Sequence, residues 1–318
     1  MWLGLSAYAG DVDLSRRTVL LLGVGTLATG CTSGSGIKSS SSPSSPSSPS
    51  SSQSSSRPPS PSASASPSAS PSASPSTATL PAVPRWEPSS NDKAPECKTA
   101  AVRHIQQAGT STTSAIEVID TQYGGLLADS ASVLVVTRSW RLTGGRLVPD
   151  GQTFDVRLTR HGQSWNVNTV YPSKPGAATA GLSALARRVL ASDRINLPPA
   201  ARRDVQAGTV HASVLTAMLT VARSHWIGIS VLRSGHPLYV FGTNRPSDHP
   251  HGRAFDTWRV DGHAVVDPRT SRGLVTEYMH AVAGAGSYNV GGPYLLGSGP
   301  QWFSDDTHHD HVHAGFTA

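Results

Sequence analysis

Ser247-Asp248-His249-Pro250-His251-Gly252-Arg253-Ala254-Phe255-Asp256 and, near the carboxyl end, His308-His309-Asp310-His311-Val312-His313 decide how this chain is read. The first stretch sets a His and an Asp seven positions apart, and the second holds a His-x-His pair. Two imidazoles and one carboxylate are donors suited to zinc, and a three-residue set leaves the fourth tetrahedral position to water. If Asp310 to Phe316 is a strand, alternation puts His311 and His313 on one face, about 6.6 Å apart along the chain. A second strand over Arg253 to Trp258 turns Asp256 to the same face, with His249 arriving from the preceding loop. Gly252 lets the backbone turn closely between the two, because glycine enters positive φ without steric cost.

Histidine is concentrated in this part of the chain: of thirteen, eleven lie at or after His211. Upstream, Leu182, Leu185, Ala186, Val189 and Leu190 recur at helical spacing, as do Val214, Leu215, Met218, Val221 and Ala222. Ile227 to Leu232 is a short β-branched and apolar run, so two helices lead into a strand. Before Pro175-Gly176 the texture changes. Thr99 to Ala108 has a helical pattern, while Ser132 to Leu142, Gln152 to Arg160 and Trp165 to Tyr171 read as strands. Phe154, Val156 and Leu158 alternate with Asp155, Arg157 and Thr159, the period of a half-buried antiparallel strand. His161-Gly162-Gln163-Ser164 then turns that strand back onto Trp165, Val167, Thr169 and Tyr171.

From Ser39 to Pro84 the chain is almost entirely Ser, Pro and Ala, with too little apolar surface to offset the entropy of ordering. Of 318 residues, this leaves about 230 for folded structure, enough for two modest domains or one large one. Half of the formal charge of +6 lies outside that part, in Lys38, Arg57 and Arg85. The remainder is too weak and dispersed for a nucleic-acid surface, so no nucleic-acid partner is expected. Ser15-Arg16-Arg17 precedes an apolar run from Val19 to Ala28. Ten such residues rise about 15 Å as a helix, half of a bilayer core, which makes the run a targeting segment and not a span. Ala28-Thr29-Gly30-Cys31 follows it, and Cys31 and Cys97 are the two cysteines of the chain.

Paired arginines before a short apolar run resemble the twin-arginine export signal, and small residues before a Cys resemble a bacterial lipoprotein box. The resemblance implies that residues 1–31 are a signal with Cys31 lipidated, that the membrane is met through this anchor alone, and that the protein faces the cell wall from outside the cytoplasm. A plain secretory signal with an incidental Cys is the other reading. With Cys31 acylated, Cys97 is a lone thiol expected to pack rather than react. Residues 32–85 are then a disordered tether able to reach well over about 100 Å. Residues 86–175 resemble the small α+β fold of the nuclear-transport-factor-like superfamily, which leaves open a binder of wall or lipid fragments or a plain spacer.

The first stretch of the opening pair is similar to the Ser-x-His-x-x-Gly-x-Ala-x-Asp signature of zinc D-alanyl-D-alanine carboxypeptidases, filled here by Ser247, His249, Gly252, Ala254 and Asp256. The second resembles the His-x-x-His-x-His ending of penicillin-insensitive murein endopeptidases, matched by His308, His311 and His313. Both families belong to the superfamily of lysostaphin, D-Ala-D-Ala peptidases and the hedgehog domain. The resemblance implies an α+β chain whose residues 176–318 form a peptidase-like domain on a central antiparallel sheet. It further implies Zn2+ held by His249, Asp256 and His313, with His311 as general base or electrostatic partner near the attacking water and His308 auxiliary. Arg245 would take the substrate carboxylate, in competition with Arg233 and Arg253. The carboxypeptidases place a Glu three residues before the last ligand; here Asp310, one methylene shorter, stands there, so the base is Asp310 or His311.

Peptidoglycan stem peptides or their cross-links are the implied substrate, and a zinc-containing wall-binding module without turnover is the competing reading. His251, His263, His280 and His309 match no position of the pattern and are expected to be ordinary surface or core residues. Asp305 and Asp306 either support an imidazole N–H or are simply solvated, and Trp302 and Phe303 either wall a cleft or pack in the core.

Overall fold

The computed structural model describes residues 78–317, so the signal segment, Cys31 and most of the tether lie outside the described residues. Pro95 opens helix α1 (Pro95–Gly109), at a position where a backbone N–H has no helical partner in any case. The face formed by Cys97, Lys98, Ala101, Val102 and Ile105 is buried. Four of these five join an apolar cluster with the sheet beneath; Lys98 is the exception, and its neighbours explain it below.

That sheet holds β1 (Ser114–Leu126), β2 (Ser130–Thr143), β3 (Arg146–Asp150), β4 (Thr153–His161) and β5 (Ser164–Pro172). The order β1-β2-β4-β5 is antiparallel throughout, with β3 folded back on the far end of β2. The three expected strands are β2, β4 and β5, and Gly162-Gln163 makes the anticipated hairpin turn with Gly162 at φ 61°. Two strands of this sheet, β1 and β3, have no counterpart in the sequence reading. Polar Glu117, Asp120 and Gln122 break any simple alternation in β1, and register shifts at Val118/Asp120 and Tyr123/Gly125 reset the face it presents.

The second sheet draws on the rest of the chain. Its elements are α2 (Ala184–Ala191), β6 (Ile195–Asn196), α3 (Pro199–Gln206), α4 (Ala212–Val221), β7 (Ile227–Val231), β8 (Ala254–Val260), β9 (His263–Ala264), α5 (Arg272–Gly284), β10 (Asn289–Gly291), β11 (Trp302–Phe303) and β12 (Val312–Gly315). The strand order is β11-β10-β12-β8-β7-β6, antiparallel at its centre and parallel at both outer pairs, with β9 paired to β8. The chain is thus α+β, with one antiparallel and one mixed sheet.

Alternation along the central strands decides which face does what. Ile227, Ile229, Phe255, Val312 and Ala314 join Met218, Tyr278 and Met279 of the helices in one core. Each Ile, Val, Phe or Met side chain among them contributes about 1.5–3 kcal/mol when fully buried. The intervening residues, Ser230, Asp256 and His313, belong to the opposite face, where Gln122 of β1 in the first sheet meets Ser230 and Asp256. Val231 packs there with Leu134 and Val136, and Ile119 borders this cluster. The texture break near Pro175 does separate the two sheets in sequence. All the described residues nevertheless fall in one compact unit.

Candidate metal centre

His249 sits in a 3-10 turn, His249–His251, just ahead of β8. Gly252 ends that turn at φ 68°, and a Cβ there would lie 2.1 Å from the Thr209 carbonyl oxygen. The turn is therefore available to glycine alone, and it brings His249 back over Asp256 on β8. On the neighbouring strand, His313 is the direct cross-strand partner of Asp256. Register thus places the second imidazole opposite the carboxylate.

Three donor atoms converge as a result. His249 Nε2 lies 3.2 Å from Asp256 Oδ1 and 3.2 Å from His313 Nδ1, and His313 Nδ1 lies 2.9 Å from Asp256 Oδ1. Tetrahedral coordination at zinc-like bond lengths separates neighbouring ligand atoms by about 3.3 Å, so this triangle has the size such an ion needs. His249 Nδ1 is 2.7 Å from the Leu232 carbonyl oxygen, which can only accept. Nδ1 therefore carries a proton, which leaves Nε2 as the nitrogen that would offer its lone pair to a metal.

Among the described residues, His236, His249 and Asp256 also form a group able to hold a metal ion, their ligand atoms within 4.8 Å of one another. His236 stacks on His249 with ring centroids 4.0 Å apart and planes only 16° from parallel. Imidazole lone pairs lie in the ring plane, and two nearly parallel planes share no point close to both rings, so His313 is the better third donor. His236 was not singled out in the sequence; its only signal is its place eleven residues before Ser247, to whose hydroxyl its Nδ1 comes within 3.3 Å.

His311 lies just before β12 rather than within it, yet its Nε2 remains on the same side, 3.9 Å from Asp256 Oδ1. Its Nδ1 donates to Asp310 Oδ1 at 2.6 Å. The carboxylate of Asp310 therefore faces away from the donor triangle. Its other oxygen accepts from Lys98 Nζ at 2.8 Å and from the Tyr123 backbone N–H at 3.1 Å. Lys98 also donates to Asp92 Oδ1 at 2.5 Å and to the Thr121 carbonyl at 3.0 Å, so all three ammonium protons have acceptors. This is why a lysine only 1% exposed is tolerated on the inner face of α1.

Charge and burial compete at each group. Burial pushes Asp256 upward, but the adjoining His249 and His311 imidazoles hold it well below the ordinary carboxylate range. Burial likewise opposes ionisation of Asp310, and Lys98 with His311 keeps it ionised. His311 would lose basicity through burial, yet Asp256 and Asp310 raise it above the usual histidine value. For His313 burial wins, leaving it at about 4, a neutral imidazole able to donate a lone pair at physiological pH.

Gln122 of β1 completes the surroundings. Its amide nitrogen donates to Asp256 Oδ2 at 2.6 Å, leaving Oδ1 to the donor triangle, while the Ser230 hydroxyl holds the amide oxygen. Gln122, Tyr123 and Lys98 carry no motif in sequence and were missed. The remaining expected residues are at the rim. Arg245 lines the cleft of about 340 Å³ above His311 and His313, whereas Arg233 and Arg253 do not. His308 donates to Asp305 at 2.7 Å and packs against His311 and Phe303; Asp306 does not pair with it. Phe303 lines the cleft, and Trp302 packs on the helical core. Cys97 is fully buried, and burial pushes its thiol up to about 12, so it packs and does not react.

No protein-family model, curated protein or solved structure matches this chain.

Proposed function

We propose that the protein is a zinc-dependent peptidase of the cell envelope that hydrolyses peptidoglycan stem peptides or their cross-links. The observation that carries this reading is the convergence of His249, Asp256 and His313 beside an imidazole, His311, whose Nε2 points at the same place. Two neutral nitrogens and one carboxylate oxygen suit zinc, and three protein donors at the base of an open cleft suit catalysis better than a closed structural site. Bound zinc supplies a Lewis acid for a scissile carbonyl and lowers the pKa of water toward about 7.

The chain's own residues handle the proton and the substrate. Asp310 holds the Nδ1 proton of His311, so Nε2 is the atom that exchanges a proton in the cleft; a cation at Asp256 would offset the charge that raises His311 and leave Nε2 open to take a proton and return it to the leaving amine. Of the two carboxyl-end candidates for the base, His311 faces the cleft and Asp310 serves it from behind. Arg245 at the rim offers a planar fork to a substrate carboxylate. The choice of a wall substrate and the proposed anchoring through Cys31 rest on the sequence resemblances.

The zinc-loaded protein should change the masses of purified muropeptides in a chelator-sensitive way. Loss of one D-Ala identifies a carboxypeptidase, and splitting of cross-linked dimers an endopeptidase. His313→Ala should lose both metal and hydrolysis, while His311→Ala should retain metal and lose at least about a hundredfold in rate. Stoichiometric zinc without any mass change would overturn the peptidase reading in favour of a wall-binding module.

A further inference from the structure

Beside the metal cleft lies a larger chamber of about 900 Å³ that no step of the proposed reaction uses. The two cavities share Leu127, His236, Val240 and Phe241, so they are neighbours along the segment from His236 to Thr243. Gly125 makes this arrangement possible, because a Cβ there would collide with Phe241 at 2.0 Å. One wall comes from β4 and β5, the other from the segment between β7 and β8.

The lining has an unusual balance of charge. Arg157, Lys174 and Arg233 face one carboxylate, Asp155. Both oxygens of that carboxylate lie against Arg157 Nε, at 2.7 and 2.9 Å, and one also accepts from Ser132 at 2.6 Å. Among the described residues the terminal nitrogens of Arg157 and Arg233, and the ammonium of Lys174, have no protein acceptor. Around them stand Tyr171, Leu238 and Tyr239, each more than half exposed. Single exposed apolar residues are ordinary, but several gathered about one cavity mark a binding surface. Donors for carboxylates beside aromatic faces suit a ligand in which an acidic peptide is joined to sugar rings.

We infer that this chamber binds the acidic, sugar-linked end of an extended wall substrate while the scissile peptide lies in the adjoining metal cleft. The inference rests on the peptidase reading for its substrate. It adds that the protein selects stem peptides still attached to their glycan, through carboxylates met by Arg157, Arg233 and Lys174 and ring faces met by Tyr171 and Tyr239.

Calorimetric titration of the zinc-loaded full chain with a disaccharide-linked stem peptide, the same peptide without sugar, and a neutral oligosaccharide of equal length tests this. The disaccharide-linked peptide should bind at least about tenfold more tightly than the sugar-free one, with an affinity that falls as salt rises. Tyr239→Ala should erase most of that advantage while metal content and sugar-free peptide affinity stay unchanged, whereas Lys174→Gln, which removes a donor to peptide carboxylates present in both ligands, should weaken both peptides about equally with metal content unchanged. Equal affinity for the two peptides, or wild-type behaviour of both variants, would overturn the assignment. Neutral oligosaccharide binding as tightly as the acidic ligand would also overturn it. Sugar-dependent binding without hydrolysis would sink the peptidase reading and keep the chamber; hydrolysis of both peptides at equal efficiency would do the reverse.

Discussion

Asp256 has two oxygens with different duties, and Gln122 is what separates them. Its amide occupies Oδ2, and Ser230 fixes which end of the amide faces the carboxylate. Gln122→Leu keeps the shape and removes the donor, so Asp256 is free to rotate. Loss of such a supporting hydrogen bond typically weakens metal binding about 10–100-fold. Competition with a chromophoric chelator should show that drop, with circular dichroism unchanged; unaltered affinity would exclude the positioning role. Lys98 is the second residue of this kind. Lys98→Met leaves Asp92 and Asp310 as buried carboxylates without their cation, and removing one partner of a buried pair costs about 3–5 kcal/mol. Urea unfolding should register a loss of that order, and a wild-type midpoint would contradict the pairing. Neither residue was legible beforehand. His249, Asp256, His311 and His313 announce themselves by type and spacing, whereas a glutamine and a lysine are ordinary residues until the fold puts them beside a carboxylate.

At the scale of elements, β8 and β12 were readable because their outward residues alternate with Phe255, Val312 and Ala314, and the structure sets His313 opposite Asp256. Strand β1 was not. Its irregular register serves to aim Asp120, Gln122 and the Tyr123 amide inward, and the same bulges erase the period that would have revealed it. Helices α3 and α5 escaped for another reason: the first is short and carries Arg202, Arg203 and Asp204, and the second begins after a loop with no apolar rhythm. Asp120 gives β1 a measurable consequence. Burial raises its carboxyl to about 7, with Asp310 reinforcing the shift and Lys98 and His311 opposing it, and its Oδ2 has no partner. Between the ordinary value of 3.8 and about 7, the folded protein holds a proton that the unfolded chain has released. Stability from this group therefore falls as pH rises through that window. A shift of roughly 3 pH units corresponds to at most about 4 kcal/mol. Asp120→Asn should narrow the gap between urea midpoints at pH 5 and pH 8; an identical gap in variant and wild type would refute the assignment.

The whole molecule is less modular than its sequence texture. The break near Pro175 divides two sheets, but the candidate metal centre is walled by both, since Gln122, Tyr123 and Lys98 reach it from the amino-terminal side. The loop before β12 is also strapped to the outer edge of β1, where the Leu126 N–H donates to Thr307 and the Tyr123 N–H to Asp310. That edge would otherwise present unpaired backbone donors. A spacer would have no reason to make these contacts. The consequence is testable by division of the chain. Residues 176–318 expressed alone keep all four expected histidine and aspartate positions of the centre, His249, Asp256, His311 and His313. They lose the donors to Asp256 Oδ2 and Asp310, and Val231 is stripped of Leu134 and Val136. The fragment should bind zinc at least about tenfold more weakly than the full chain and aggregate through its uncovered sheet face. Adding residues 78–175 in trans should recover affinity if that half folds. A soluble fragment with the full chain's Kd would show that the centre is self-sufficient and that the first sheet is an attachment after all.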